Sequence, residues 1–213
     1  MSDISVIIRN KNEERYIGYA IQSVLDNFDE PEIIVVDNNS TDNSMNIVNT
    51  FDFENIKTYT IDSYTPGKSL NFGITKCSND YVLILSAHSQ ITNCDWDGVK
   101  GYLDNHCVVS GRQIPIWNGK KITPRYVWSN FRKFSCQNLF STAENRYFLH
   151  NAFSFYKKQT LTENPFDENL STKEDRYWIN NMILENKHIS FYDSDTICHH
   201  HYTDNGATWK GIG

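Results

Sequence analysis

The chain has 213 residues, which favours one domain with at most a small appendage, and 39% of them are apolar, enough to bury a core without disulfide staples. With 20 Lys and Arg against 26 Asp and Glu, the net charge of −6 argues against bulk nucleic-acid binding through phosphate neutralisation. A mean hydropathy of −0.56, and no apolar run approaching about 18 residues, argue against a membrane span. Met1-Ser2-Asp3 is acidic and runs straight into a strand-like segment, so no signal peptide is expected. The five cysteines at 77, 94, 107, 136 and 198 are odd in number and form no CxxC, which speaks against a disulfide scaffold or zinc ribbon. A reduced, cytoplasmic protein is the expectation.

In chain order, Ile4 to Ile8 is a β-branched run of strand length that ends in the polar stretch Arg9-Asn10-Lys11-Asn12-Glu13-Glu14. Helical spacing follows at Ile17, Ile21, Val24 and Leu25, with Asn12 as the expected N-cap. Residues 32–36 form a second buried-type strand, closed by Asp37-Asn38-Asn39-Ser40-Thr41-Asp42, and a helix through Met45, Val48 and Phe51 comes next. Residues 56–61 read as a third strand, Pro66-Gly67 opens a helix through Leu70 and Ile74, and residues 81–85 are the most apolar strand. Such β-α units with continuously hydrophobic strands predict a mostly parallel sheet with helices on both faces. Beyond this, the pattern gives a helix at 96–103, a short strand at Val108-Val109, a strand at 152–156, a helix at 174–184 and a strand at 188–192. Residues 117–150 mix aromatic and basic residues without a readable period, and most of the aromatics read as core.

Ligands of such sheets bind beyond the carboxyl ends of the strands. The polar segments there are Arg9 to Glu13, Asp37 to Asp42, Ser63 to Lys68 and Ser86 to Gln90, which predicts four loops on one rim. No GxGxxG follows the first strand and no GxxxxGK[ST] is present, which disfavours a dinucleotide site and a P-loop. Asp37 is placed to accept a hydrogen bond from a nucleotide base; the same residues also read as a turn and helix cap.

Ile4 to Glu14 resembles the opening strand and loop of family 2 glycosyltransferases of the GT-A fold. Ile33 to Asp42 is similar to that family's second-strand motif, Pro66 to Ile74 to its third block, and Tyr81 to His88 stands where its aspartate-rich motif falls. Phe166-Asp167-Glu168 with Lys173 to Trp178 resembles its late Glu-Asp motif, and the blocks around Ser86-Ala87-His88 and Gly111-Arg112-Gln113 look most like rhamnosyltransferase-type bacterial members. The resemblance runs over residues 3–201 with the blocks in the family's order. It implies a single GT-A (Rossmann-like) domain over 1–213: a nucleotide-binding half at 1–90, and an acceptor-side half at 91–213 with a mixed sheet. A chain ending at Gly211-Ile212-Gly213 is short for the family, which leaves room for further elements that cover the site or dock to a membrane.

The implied activity is inverting transfer of a sugar from a nucleotide-diphosphate donor to a glycan or lipid-linked hydroxyl in surface polysaccharide synthesis. Membrane contact, if any, would be peripheral, at the inner face. Asp175 matches the family's base and Glu174 its neighbour; without the upstream blocks the pair would read as the acidic first turn of a helix. Arg9, Lys11, Glu13, Asp37 and Lys68 match nucleotide-contacting positions, against the plainer reading of solvated loop, cap and surface residues. The implied cofactor is a divalent metal, Mn2+ or Mg2+, held by His88 and by His200 from the run Cys198 to His201. Ser86 replaces the first carboxylate of that motif, so Lys68, Arg112 or His88 are the alternative means of neutralising the phosphates. The same replacement keeps open a degenerate GT-A domain that binds nucleotide or sugar without turnover. A nucleotidyltransferase ranks lower, because its glycine-rich basic loop is missing.

Overall fold

A computed structural model describes residues 3–121 and 126–203. The strands are β1 (Ile4–Asn10), β2 (Glu32–Asp37), β3 (Ile56–Thr60), β4 (Tyr81–Ser86), β5 (Ser89–Asn93), β6 (Val108–Trp117), β7 (Lys120–Lys121), β8 (Cys136–Gln137), β9 (Phe140–Ser141), β10 (Arg146–Tyr147), β11 (Phe153–Lys157) and β12 (Ser190–His201). The helices are α1 (Ile17–Asn27), α2 (Ser44–Val48), α3 (Pro66–Lys76), α4 (Trp96–Leu103), α5 (Lys158–Glu163) and α6 (Glu174–Leu184), with a 3-10 turn at Tyr126–Asn130.

One sheet runs in the order β3-β2-β1-β4-β11-β6-β12-β5. β3, β2, β1 and β4 are parallel, β11 is antiparallel to both β4 and β6, and β12 is parallel to β6. This is an α/β sheet of the expected kind, parallel in its first half and mixed in its second. The register pairs Arg9 with Ser86 and Asn10 with Asp37, so the carboxyl ends of β1, β2 and β4 are level with one another.

The alternation of side chains along each strand builds a core on both faces. Val6, Ile8, Ile33, Val35, Leu83 and Leu85 point to the side where α1 supplies Ile17, Ile21 and Val24. Ile7, Ile34, Val36 and Ile84 point to the other side, where α3 supplies Leu70 and Ile74 and α6 supplies Ile179 and Met182. Removing each of these side chains from water is worth about 1.5–3 kcal/mol, which is why the strands read as unbroken apolar runs. A third cluster of Val127, Trp128, Leu139, Phe148, Tyr192 and Tyr202 absorbs much of the aromatic stretch. Trp128 and Phe148 are therefore core, whereas Phe134 and Phe140 are exposed.

Several elements differ from the sequence reading. Helix α1 begins at Ile17, behind an N-cap at Tyr16, not at Asn12. Asn12 has a left-handed backbone and its side-chain oxygen accepts from the Thr41 amide, 2.7 Å away, so it joins two loops and caps no helix. The strand expected at 188–192 runs on to His201, with a bulge between Asp193 and Ile197, and carries the histidine run into the sheet. The short strand at Val108-Val109 is the start of the ten-residue β6.

The approach of the late Phe166-Asp167-Glu168 loop to the start of α3 sets the position of α6. Thr65 caps α3, its hydroxyl accepting from Lys68 N at 3.2 Å and donating to the Glu168 carbonyl at 2.8 Å. The Asn71 side chain exchanges hydrogen bonds with both the carbonyl and the amide of Phe166. A methyl group on Gly67 would lie 2.4 Å from the Asp167 carbonyl oxygen, a backbone atom that cannot swing aside. Gly67→Ala is therefore expected to lower stability by about 1–3 kcal/mol, the usual cost of overpacking, read as a shifted midpoint in chemical unfolding. A midpoint matching the wild type would contradict this contact.

Candidate active site

The carboxyl-end rim gathers polar side chains from segments far apart in sequence. Arg9, at the end of β1, points its guanidinium at the first turn of α6, with Nη1 3.1 Å from Glu174 Oε1. Its neighbour Asn10 donates to Asp37 Oδ1 at 2.8 Å. The Ser40 hydroxyl and amide also donate to the Asp37 carboxylate, at 2.6 and 2.9 Å. Asp37 is buried and holds its own turn, as the cap reading supposed. Lys11 donates to the carbonyls of Asn38 and Asn39 at 2.7 and 2.6 Å, and its side chain is exposed on the rim. Lys68, also exposed, sits in the first turn of α3 and bonds Ser63.

Glu13 turns inward. It is 6% exposed, its Oε1 lies 3.1 Å from His88 Nδ1, and the same oxygen accepts from the Thr203 hydroxyl at 2.9 Å. Glu13 thus ties the first loop to the turn after β4 and to the chain beyond β12. The His88 ring packs against His200 with centroids 4.8 Å apart, and His200 against His150 at 5.5 Å. His200 Nδ1 meets Gln113 Oε1 at 3.0 Å. Arg112, the alternative phosphate contact, is half-buried on β6 opposite Ile197 of β12.

Helix α6 starts with buried charges. Lys173 precedes it at φ +62, a left-handed conformation that a lysine adopts only under constraint, and this turn aims Glu174 and Asp175 inward. Glu174 and Asp175 are 5% and 4% exposed. Asp175 Oδ2 accepts from the Asn151 amide at 2.9 Å, and both its oxygens accept from Arg176 Nη1, at 2.9 and 3.1 Å. Burial raises the cost of ionising Asp175, but Arg176, His150 and the Asn151 amide together hold its carboxyl below the usual range. Glu174 goes the other way: burial, and next the charge of Asp175, push it up against the opposing pull of Arg9.

The structure brings the sequence-predicted residues to one rim in a continuous network. Asp37 reaches Asn10, Arg9 reaches Glu174, and the Asp175 neighbourhood reaches His88 through His150 and His200. Among the described residues, Lys68 is linked to the network through the loop that includes Pro66, whose carbonyl lies 3.4 Å from Arg9 Nη1. Asn10, His150, Arg176 and Glu144 were not singled out from the sequence. Arg176 had a signal, since a basic residue directly follows an acidic pair; His150 and Glu144 lie in the unperiodic stretch and had none. A pocket of about 480 Å3 lies at the opposite end of the sheet, lined by residues including Asp3, Phe28, Asp29, Trp96 and Lys100, away from this network.

The family resemblance implies a divalent ion. Among the described residues no group of three or more His, Cys, Asp or Glu side chains is arranged to hold one. His88 and His200 are adjacent, but Ser86 stands in the carboxylate position and Glu13 is engaged by His88 and Thr203. Two imidazoles without a free carboxylate suit oxygen-seeking Mg2+ poorly, and the described side chains do not by themselves form a resident metal centre.

The chain belongs to glycosyl transferase family 2, whose model matches residues 5–163, more than half of its length. Its fold is that of S. aureus TarS residues 1–349 in complex with UDP-GlcNAc, with a TM-score of 0.73 at 21% identity, covering 96% of this chain and 60% of that one. Among curated relatives, the minor teichoic acid biosynthesis protein GgaA of Bacillus subtilis (strain 168) is 27% identical over 195 residues, 86% of this chain and 44% of GgaA. A dolichyl N-acetyl-alpha-D-glucosaminyl phosphate 3-beta-D-2,3-diacetamido-2,3-dideoxy-beta-D-glucuronosyltransferase of Methanococcus voltae is 34% identical over 97 residues, 42% of this chain and 30% of that protein. The chain thus spans less than half the length of these two curated relatives.

The buried histidines set an expectation for acid. Burial pushes His150 down to about 3 and His201 to about 4, and lowers His200 well below the ordinary value. A depressed histidine takes up its proton more readily when unfolded, so stability is full above about pH 6.5 and falls as pH drops toward the folded values. The thermal midpoint is expected to be flat above about pH 7, to fall steadily below pH 6.5, and to fall less steeply in His150→Gln. An acid profile unchanged in that variant would contradict the assignment.

Proposed function

We propose that this domain transfers a sugar, with inversion, from a uridine diphosphate-sugar to a hydroxyl of a glycan or lipid-linked surface polysaccharide. The observation that carries the reading is the convergence of the ends of β1, β2 and β4 with the first turn of α6, cemented by the Arg9–Glu174 ion pair. Family membership supports the reaction class, and the UDP-GlcNAc complex of TarS and the teichoic acid role named for GgaA support the donor and acceptor classes.

In this reading the donor lies over the β1–β2 edge. The Asn38-Asn39 turn, held in place by Asp37, faces the base, Arg9 and Lys11 line the loop around the nucleotide with Glu13 anchoring it from below, and the ammonium groups of Lys11 and Lys68 meet the diphosphate. Charge on the departing diphosphate is met by these cations, and the Glu174–Asp175 pair supplies the carboxylate that removes the acceptor's proton. The family resemblance gives that task to Asp175. No described helix is long and apolar enough to cross a membrane, and the proposed site of action is the cytoplasmic face of the membrane. A second reading, donor binding without turnover, is favoured by one observation, Ser86 in place of a carboxylate.

The test is release of nucleoside diphosphate from a panel of nucleotide-sugars, with binding followed in parallel by calorimetry. The transferase reading expects uridine donors to bind and to release uridine diphosphate when an acceptor glycan is added. It also expects Lys11→Ala to weaken binding about 10-fold, a loss of about 1.4 kcal/mol. Tight binding with no release selects the second reading, and no binding of any nucleotide-sugar defeats both.

A further inference from the structure

We propose that Glu144, on the turn between β9 and β10, is a positioning residue for the transfer: its charge holds the Arg176 guanidinium, and through it the Asp175 carboxylate, in the geometry the reaction uses. The inference rests on the transferase reading above and on the family resemblance that gives proton removal to Asp175.

Glu144 is a buried charge that the proposed mechanism leaves unused. Its side chain is 6% exposed, although its neighbours on the turn, Thr142, Ala143 and Asn145, are exposed. The turn is closed by the Ser141 hydroxyl, which accepts from the Glu144 amide at 3.1 Å, and by Asn145 in the left-handed region at φ +50. It sends the carboxylate inward, where neither oxygen receives a hydrogen bond among the described residues. A buried carboxylate without donors is costly unless an opposite charge balances it. Two guanidinium groups stand within reach. Arg146 Nε lies 3.9 Å from Oε2, and Arg176 Nε lies 3.8 Å from Oε1. Water screens Arg146, whose side chain is 29% exposed, but reaches Arg176 hardly at all, at 3%.

Arg176 has the matching need. Its Nη1 donates to both oxygens of Asp175, at 2.9 and 3.1 Å, while its Nε and Nη2 are buried and find no acceptor among the described residues. Burial works against the guanidinium charge, and Asp175 first, then Glu144 and Glu174, strengthen its hold on its proton. A planar group hydrogen-bonded through one nitrogen is free to pivot. The Phe148 ring, 5.0 Å from the guanidinium, limits it on one side, and the charge of Glu144 holds the Nε edge.

The hairpin of β9 and β10 grips the same helix at three points. Glu144 meets Arg176, the Arg146 guanidinium lies over the Tyr177 ring at 5.1 Å, and the Tyr147 amide donates to Asn180 Oδ1 at 3.4 Å. Residues 176, 177 and 180 are neighbours on one side of α6. The hairpin is thus a clip on the first turns of the helix that carries Asp175, whose Oδ2 is held from the other side by the Asn151 amide at 2.9 Å. Releasing the Nε edge would let Arg176 and the Asp175 carboxylate turn together, and a misplacement of about 1 Å at a reacting group costs up to about 100-fold in rate.

The experiment compares Glu144→Gln, which keeps the shape and removes the charge, with Glu144→Asp, which keeps the charge. Glu144→Gln is expected to lose at least about 10-fold in kcat per folded molecule, with KM for donor and acceptor within about 2-fold of wild type. Glu144→Asp is expected to recover kcat to within about 3-fold. In nitrogen-15 spectra the Arg176 Nε proton is expected to exchange with water about 10-fold faster in Glu144→Gln than in wild type. A change of fold stability alone would move the thermal midpoint and leave kcat of the folded molecules in place. A folded Glu144→Gln with kcat within about 2-fold of wild type would overturn the proposal, as would a Glu144→Asp as slow as Glu144→Gln. Where Glu144→Gln does not fold, the wild-type resonance decides: an Arg176 Nε proton protected from water supports the clamp, and one exchanging as fast as that of the exposed Arg15 overturns it. Failure of the wild type to release nucleoside diphosphate from any donor is a separate result. It defeats the transferase reading, while exchange of the Arg176 proton in Glu144→Gln still shows whether Glu144 holds the guanidinium.

Discussion

The site depends on an ion pair between residues 165 positions apart, Arg9 at the end of β1 and Glu174 at the start of α6. Each partner is largely out of water, with side-chain exposures of 18% and 6%. A buried charge left alone costs several kcal/mol, so neither is tolerable without the other. The pair therefore holds the start of the late helix against the rim of the parallel sheet, where residues of the two halves of the chain meet. Asp175 and Arg176 make a second pair one residue further on; burial and the charge of Asp175 raise the proton affinity of Glu174, while Arg176, His150 and the Asn151 amide lower that of Asp175.

The first half of the fold was legible because β1, β2 and β4 are buried on both faces and so read as near-continuous apolar runs between polar ends. The second half was not, because β12 spends polar side chains inside the protein. Asp193 is satisfied by Ser135 and Thr196, and His200 by Gln113, so residues that look like loop are strand. Asn12 misled for a related reason. Its side chain fits an N-cap, but a longer-range partner, the Thr41 amide, claims it, and the chain reaches Tyr16 before turning helical. Within the site, motif order pointed to Glu174 and Asp175, but the contacts that hold them, to Arg9, Asn151 and Arg176, include long-range ones that no local pattern encodes.

The rim also carries a layer of histidines. His88, His200 and His150 pack against one another in series, tilted and edge-on, with Glu13 and Gln113 orienting two of them through Nδ1. Such hydrogen bonds fix ring orientation and tautomer, and so the shape of the floor. Where a carboxylate-based metal site would have brought negative charge to the end of β4, this chain has a hydroxyl and an imidazole whose neighbouring carboxylate is turned inward. The charge of the rim is accordingly more positive, from Lys11 and Lys68 at the surface and the half-buried Arg9.

The central claim is that the carboxyl-end rim, and not the pocket at the other end of the sheet, receives the nucleotide. A titration of isotope-labelled protein with uridine diphosphate, followed through backbone amide resonances, tests it most directly. The account expects saturable shifts at residues 10–13, 38–40 and 86–88 and at the first turn of α6. Shifts confined to residues 26–29 and 96–100, around Asp3, would contradict it.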